Sequence, residues 1–97
     1  MKISELVDKQ GKVNIDVKII WDMAKPKNMF GKIIKEVIVA DIDSQQGDPT
    51  AYLDLYNKDT EIYKQGDKIR VINAYSKLIQ GRNQYRLTNA KSIEPIE

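Results

Sequence analysis

The sequence predicts an all-β domain closed into a small barrel. Three observations carry that expectation. Several short segments alternate apolar and polar residues with the period of a half-buried strand. Turn-forming residues punctuate those segments at short intervals. The chain has only 97 residues, enough for one modest core and too few for a second.

Taken in order, Ile3 to Val7 reads as a single helical turn, with Ser4 in a capping position. Lys9-Gln10-Gly11 breaks it. Lys12 to Trp21 reads as the first strand, with Val13, Ile15, Val17 and Ile19 on one face and Asn14, Asp16 and Lys18 on the other. Asp22 to Gly31 reads as a long basic loop, marked by Pro26, Asn28 and Gly31. Lys32 to Asp41 is the second strand, and Asp43 to Pro49 is a turn-rich connection. Ala51 to Tyr56 is the third strand and the most regular: Ala51, Leu53 and Leu55 face one way, Tyr52, Asp54 and Tyr56 the other. Asn57 to Gln65 holds a short helical element, with Ile62 and Tyr63 as its buried residues. Lys68 to Tyr75 is the fourth strand, Ser76 to Asn83 a hairpin tip, and Gln84 to Thr88 the fifth strand. Ile93 packs a last turn. Closing five short strands into a barrel removes exposed edges, and a helical element between strands three and four is the arrangement of an OB-fold. A small open barrel or sandwich is the competing architecture.

Composition narrows the chemistry. There is no cysteine, so disulfides and thiolate metal sites are excluded, and no histidine, so the commonest general base is missing. No apolar run approaches the roughly 18–20 residues that span a membrane. Met1-Lys2-Ile3 does not begin a secretory signal, so an intracellular, cytoplasmic and nucleoid-associated location is the expectation. The net charge of +2 hides a strong pattern. Residues 18–35 carry +4, residues 36–67 carry −6 and residues 68–91 carry +6. Two basic blocks around an acidic middle steer a charged partner more than the total does.

The outward tyrosines suggest that partner. Tyr52 and Tyr56 project from one face of a strand, roughly 7 Å apart, and Tyr75 closes the next. Aromatic rings on a sheet bounded by basic loops stack nucleobases, at on the order of 1–3 kcal/mol per base. The plainer alternative is that the tyrosines pair across strands. Lys25, Lys27 and Lys32 lie in or beside the first loop, and Lys77, Arg82 and Arg86 surround the last hairpin. In an OB barrel these loops rim one groove. Arg70 flanks the platform strand. Phe30 is a small apolar anchor or a base contact, and Trp21 is a packing residue.

Val17-Lys18-Ile19-Ile20, Glu36 to Asp41, Leu53-Asp54-Leu55-Tyr56, Gln65 to Val71, and Asn73-Ala74-Tyr75 followed by Gly81 together resemble archaeal single-stranded DNA-binding proteins of the replication protein A family. The resemblance covers about Val13 to Leu87. It implies an OB-fold and base stacking at Tyr56 and Tyr75. Leu78 and Ile79 stand where the family often has a third aromatic, so the resemblance implies no third stacking contact there. It also implies one domain cut from a longer protein, or a minimal member of the family. The expected ligand is single-stranded DNA, bound with little sequence preference in replication, repair or recombination, with RNA a further candidate and other OB domains or replication proteins as partners. No cofactor, catalytic residue or metal is expected.

Three other functions compete with this one. A metal-dependent nuclease would draw on Asp41, Asp43, Asp48 and Asp54. A protein-interaction OB domain is the serious rival. A transfer-RNA-binding domain rests on fold analogy alone.

Overall fold

The computed structural model describes residues 1–96. A 3₁₀ turn, Ile3–Glu5, precedes seven strands: β1 (Gln10–Trp21), β2 (Lys27–Met29), β3 (Lys32–Asp41), β4 (Thr50–Tyr56), β5 (Lys68–Leu78), β6 (Tyr85–Thr88) and β7 (Ser92–Pro95). One four-residue helix, α1 (Asp59–Ile62), lies between β4 and β5.

Five strands close on themselves. The sheet order is β1-β3-β4-β6-β5, and β5 pairs back onto β1. All of these pairings are antiparallel except β4 with β6. A closed five-stranded barrel with a helix between its third and fourth strands is the OB-fold. Strand alternation fills its interior: Val13, Ile15, Val17 and Ile19 of β1, Val37 and Val39 of β3, Leu53 and Leu55 of β4, Ile69 and Val71 of β5, and Leu87 of β6 are all buried. Each removes its apolar surface from water, the main favourable contribution to folding. Tyr63 follows α1 into this core and donates its hydroxyl to the Ile93 carbonyl at 2.8 Å. Trp21 is half-buried at the end of β1, opposite Ile38.

β5 does not keep one alternation along its length. Ile69 and Val71 point inward, but so do Ala74 and Ser76. The slip falls at Asn73, whose φ of 53° is left-handed and whose N–H is taken by Asn14 Oδ1 at 3.1 Å. Asparagine tolerates that conformation better than most residues. Beyond the slip, Tyr75 and Lys77 face outward.

Several sequence expectations are corrected. The Asp22–Gly31 segment is not all loop, because Lys27–Met29 pairs with Ile34–Lys32 as a hairpin. Its two-residue connection, Phe30 (φ 55°) and Gly31 (φ 79°), has both residues left-handed, as in the turns that match strand twist. Ile62 is 59% exposed, and Thr60 is instead the buried residue of α1, its hydroxyl donating to the Asn57 carbonyl at 2.6 Å. β5 runs on to Leu78, which shortens the hairpin tip. Ile93 sits in a strand, β7, that pairs with β5. Ser4 is not the cap of the first turn; there the Lys2 N–H donates to Glu5 Oε1 at 2.6 Å. No helix among the described residues is long and apolar enough to cross a membrane.

The first turn is tied to the barrel by Asp41, a buried residue whose Oδ1 accepts the Ile3 N–H at 2.9 Å. This bond positions Ile3 and Leu6 in the core. Asp41→Ala leaves that buried N–H without a partner and should cost about 1–3 kcal/mol, read from urea unfolding, with faster hydrogen exchange at Ile3.

Acid should weaken the fold through two exposed ion pairs. The Arg70 guanidinium hydrogen-bonded to Asp16 holds that carboxyl below its usual range, and the Lys2 ammonium does the same for Asp43. A carboxylate with a lowered folded pKa adds stability above its unfolded pKa and loses it as pH falls through the folded value. The urea midpoint should therefore drop between about pH 5 and pH 2. The drop should be shallower in Asp16→Asn and in high salt.

Candidate nucleic-acid interface

The outward residues of β4, β6 and β5 form one face. Tyr75 pairs with Thr88 across β5 and β6. Tyr56, at the end of β4, shares a hydrogen bond of 2.6 Å between its hydroxyl and Thr88 Oγ1, and the Asn89 N–H donates to that hydroxyl at 3.3 Å. Thr88 therefore stands between the two tyrosines and brings them together. Both rings are half-exposed. The Tyr56 hydroxyl is spent on the barrel, which fixes the direction of its ring.

One row further along the face, β3, β4 and β6 place Glu36, Asp54 and Arg86 together. Glu36 and Asp54 are register partners across β3 and β4, and Tyr52 is the partner of Arg86 across β4 and β6. Arg86 donates from Nη1 to Asp54 Oδ1 at 2.6 Å and from Nη2 to Glu36 Oε1. Its guanidinium also lies over the Tyr52 ring, 5.4 Å from the centroid. Burial disfavours the Arg86 charge, but the hydrogen bonds and charges of the two carboxylates outweigh it and hold the pKa above its ordinary value. Arg82 approaches the other end of Tyr52, with Nη1 3.4 Å from its hydroxyl.

Two grooves meet at Arg86. One, of about 510 Å³, is lined by Asp8, Lys9 and Lys77 together with Leu78, Ile79 and Gln80. The other, of about 500 Å³, is lined by Lys25, Lys27, Met29 and Ile34 with Glu36 and Asp54. Cations thus stand on both sides of a floor whose own charges are largely internally paired.

Of the residues singled out from sequence, Tyr52, Tyr56, Tyr75, Lys77, Arg82 and Arg86 share this face, and Lys25 and Lys27 border it through the second groove. Lys32 borders a smaller depression with Tyr56, Asn57 and Asn89. Phe30 stands apart at the hairpin tip, 99% exposed. Arg70 is not brought to the face. It pairs with Asp16 at 2.9 Å on the β1–β5 seam, beside Glu94 of β7. The acidic residues considered for a metal are dispersed: Asp41 holds Ile3, Asp43 holds Lys2, Asp48 accepts the Gln45 N–H and Asp54 holds Arg86. Sequence reasoning missed Glu36, Thr88 and the pairing of Asp54. Their outward parity on each strand was readable, but the register that joins them was not.

Arg86→Ala would leave two partly buried carboxylates facing each other with no cation between them. It should destabilise the fold by about 1–3 kcal/mol in urea unfolding. The triple variant Arg86→Met, Glu36→Gln, Asp54→Asn should recover most of that loss, because it removes the like-charge repulsion as well as the pair.

Comparison with protein-family models and with curated proteins found no match to this chain.

Proposed function

We propose that this domain binds single-stranded DNA with the outer face of β4, β6 and β5, in replication, repair or recombination. One observation carries the reading. Tyr56 and Tyr75 flank Thr88 on one sheet, beside two grooves lined by Lys25, Lys27 and Lys77, with Arg82 rimming the face at the Tyr52 hydroxyl. Bases stack on the tyrosines, and the rim cations hold phosphates. Tyrosines fixed on strands lose little rotamer freedom on binding, which favours affinity. Arg70, turned toward Asp16, has no part in this. Arg86 already carries two carboxylates, so it contributes little net charge toward phosphate.

A second reading, a protein-docking barrel, has its own observation. Met23, Met29, Phe30 and Ile33 are all exposed in and around the β2–β3 hairpin, and exposed apolar patches mark contact surfaces.

The test is fluorescence anisotropy of a labelled thymidine oligomer of about 12 nucleotides against duplex of the same length. The single strand should bind preferentially. With four rim cations engaged, log K should fall against log salt with a slope of about −3, and Arg82→Ala should reduce that slope by about 0.7. Tyr75→Ala should weaken binding about tenfold while costing less in stability. Tyr56→Phe, which keeps the ring and loses the hydroxyl's bonds to Thr88 and Asn89, should bind nearly as the parent does. Unchanged affinity in a folded Tyr56→Ala, Tyr75→Ala double variant would sink the stacking mechanism. No preference for single strands would favour the docking reading.

A further inference from the structure

The centre of the face is poorly suited to phosphate. One guanidinium sits between two carboxylates and is already hydrogen-bonded to both. A phosphate placed there would meet more negative charge than positive. The uncompensated cations lie to either side, with Lys25 and Lys27 in one groove and Lys9 and Lys77 in the other. A strand held by those rims has its backbone at the edges and its bases turned toward the middle.

What the middle offers is a set of aligned hydrogen-bonding groups. Asp54 spends only Oδ1 on Arg86, and Glu36 only Oε1. The second oxygen of each makes no hydrogen bond among the described residues, and both residues line the same groove. The Asp54 side chain is 13% exposed, so its orientation is set by the strand and by Arg86. The Arg86 guanidinium beside it is a fork of donors held over Tyr52. Acceptors therefore adjoin donors in a fixed order.

We propose that the Glu36–Arg86–Asp54 triad reads the Watson–Crick edge of an unstacked base and selects guanine. This rests on the single-strand reading above and departs from indiscriminate binding. Guanine presents the O6 acceptor next to two adjacent donors, N1–H and the N2 amino group. The donors match a carboxylate with a free oxygen, and O6 matches the arginine fork. Thymine has one N–H between two carbonyls, which a carboxylate repels. Adenine and cytosine each offer a single amino group. Asp54 and Glu36 are then specificity-determining residues, and Arg86 positions them as well as donating. The same triad lets the face accept any base with loss of affinity rather than exclusion, because the tyrosines stack every base alike.

Anisotropy titrations at one fixed moderate salt test this. The probes are a thymidine oligomer of about 12 nucleotides and oligomers of the same length in which every third base is guanine, adenine or cytosine. Isolated guanines avoid four-stranded structures. The guanine oligomer should bind about tenfold more tightly than the thymidine one, with adenine and cytosine between. Asp54→Asn with Glu36→Gln keeps oxygen acceptors for Arg86 and should bring the ratio close to one. If the double variant unfolds, Asp54→Asn alone should still reduce the ratio severalfold. Equal binding of all four oligomers by the parent protein overturns this inference and leaves the single-strand reading standing. So does a guanine preference that survives in the variants, or one matched by adenine or cytosine. Binding to none of the oligomers overturns both.

Discussion

β5 has to serve three neighbours at once. Its first half pairs with β1 on one side and β7 on the other, and its second half pairs with β6 while still touching β1. A strand with strict alternation cannot do this and keep one set of side chains inside. Continuing the pattern of Ile69 and Val71 would bury Asn73, Tyr75 and Lys77, and would turn Ala74 and Ser76 to water. The single left-handed residue at Asn73 resets the pattern. It puts the two smallest side chains of the strand into the crowded closing seam and releases the tyrosine and lysine to the surface. A one-residue slip exchanges every side chain between faces. Both the closure of the barrel and the composition of its outer face therefore depend on this backbone step, and the Asn14 side chain holds it by accepting the Asn73 N–H.

The seam is finished by polar ties that reach the face. Ser76 is fully buried, and its hydroxyl donates to the Val7 carbonyl at 2.5 Å. The Leu78 N–H donates to Asp8 Oδ1 at 2.8 Å. These bonds satisfy groups that would be costly to bury unpaired. They also fasten the N-terminal segment against the end of β5, which is why Asp8 and Lys9 help to line one groove. The core, the terminus and the groove wall are thus one connected structure.

The barrel was legible because its strongest signal is periodic. Val13, Ile15, Val17 and Ile19, or Ala51, Leu53 and Leu55, declare a buried face without reference to anything distant. β2 was not legible, because Lys27, Asn28 and Met29 are all exposed and so have no alternation to read. Nor does Phe30-Gly31 resemble the asparagine-glycine pair expected of such a turn. In α1 four residues are too few for an apolar stripe, and a threonine bonded to the preceding turn takes the buried position that Ile62 was expected to fill. The tyrosines and most cations of the face could be named one by one. The triad could not, since Glu36, Asp54 and Arg86 lie on three strands and meet only through the register of β3 on β4 and β4 on β6.

Phe30 is the residue that the fold itself least explains. A bulky side chain at φ 55° costs of order 1–2 kcal/mol relative to the right-handed conformation, and asparagine or glycine would relieve it. The ring gains nothing back from packing, since it is almost wholly in water. An aromatic that is strained and unburied contributes to stability in neither way available to it. Its neighbours in the hairpin, Lys27 and Lys32, are exposed cations, and Lys27 and Met29 line the groove that ends at Arg86. The hairpin thus extends one wall of that groove outward, ending in an apolar ring beside positive charge. That is the same pairing of chemistries found on the strands, where Tyr52 lies against Arg82 and Arg86. The likeness stops at contact: on the strands the Arg86 guanidinium lies over the Tyr52 ring, whereas on the projecting turn the Phe30 ring and the hairpin lysines are neighbours in sequence with the ring left in water.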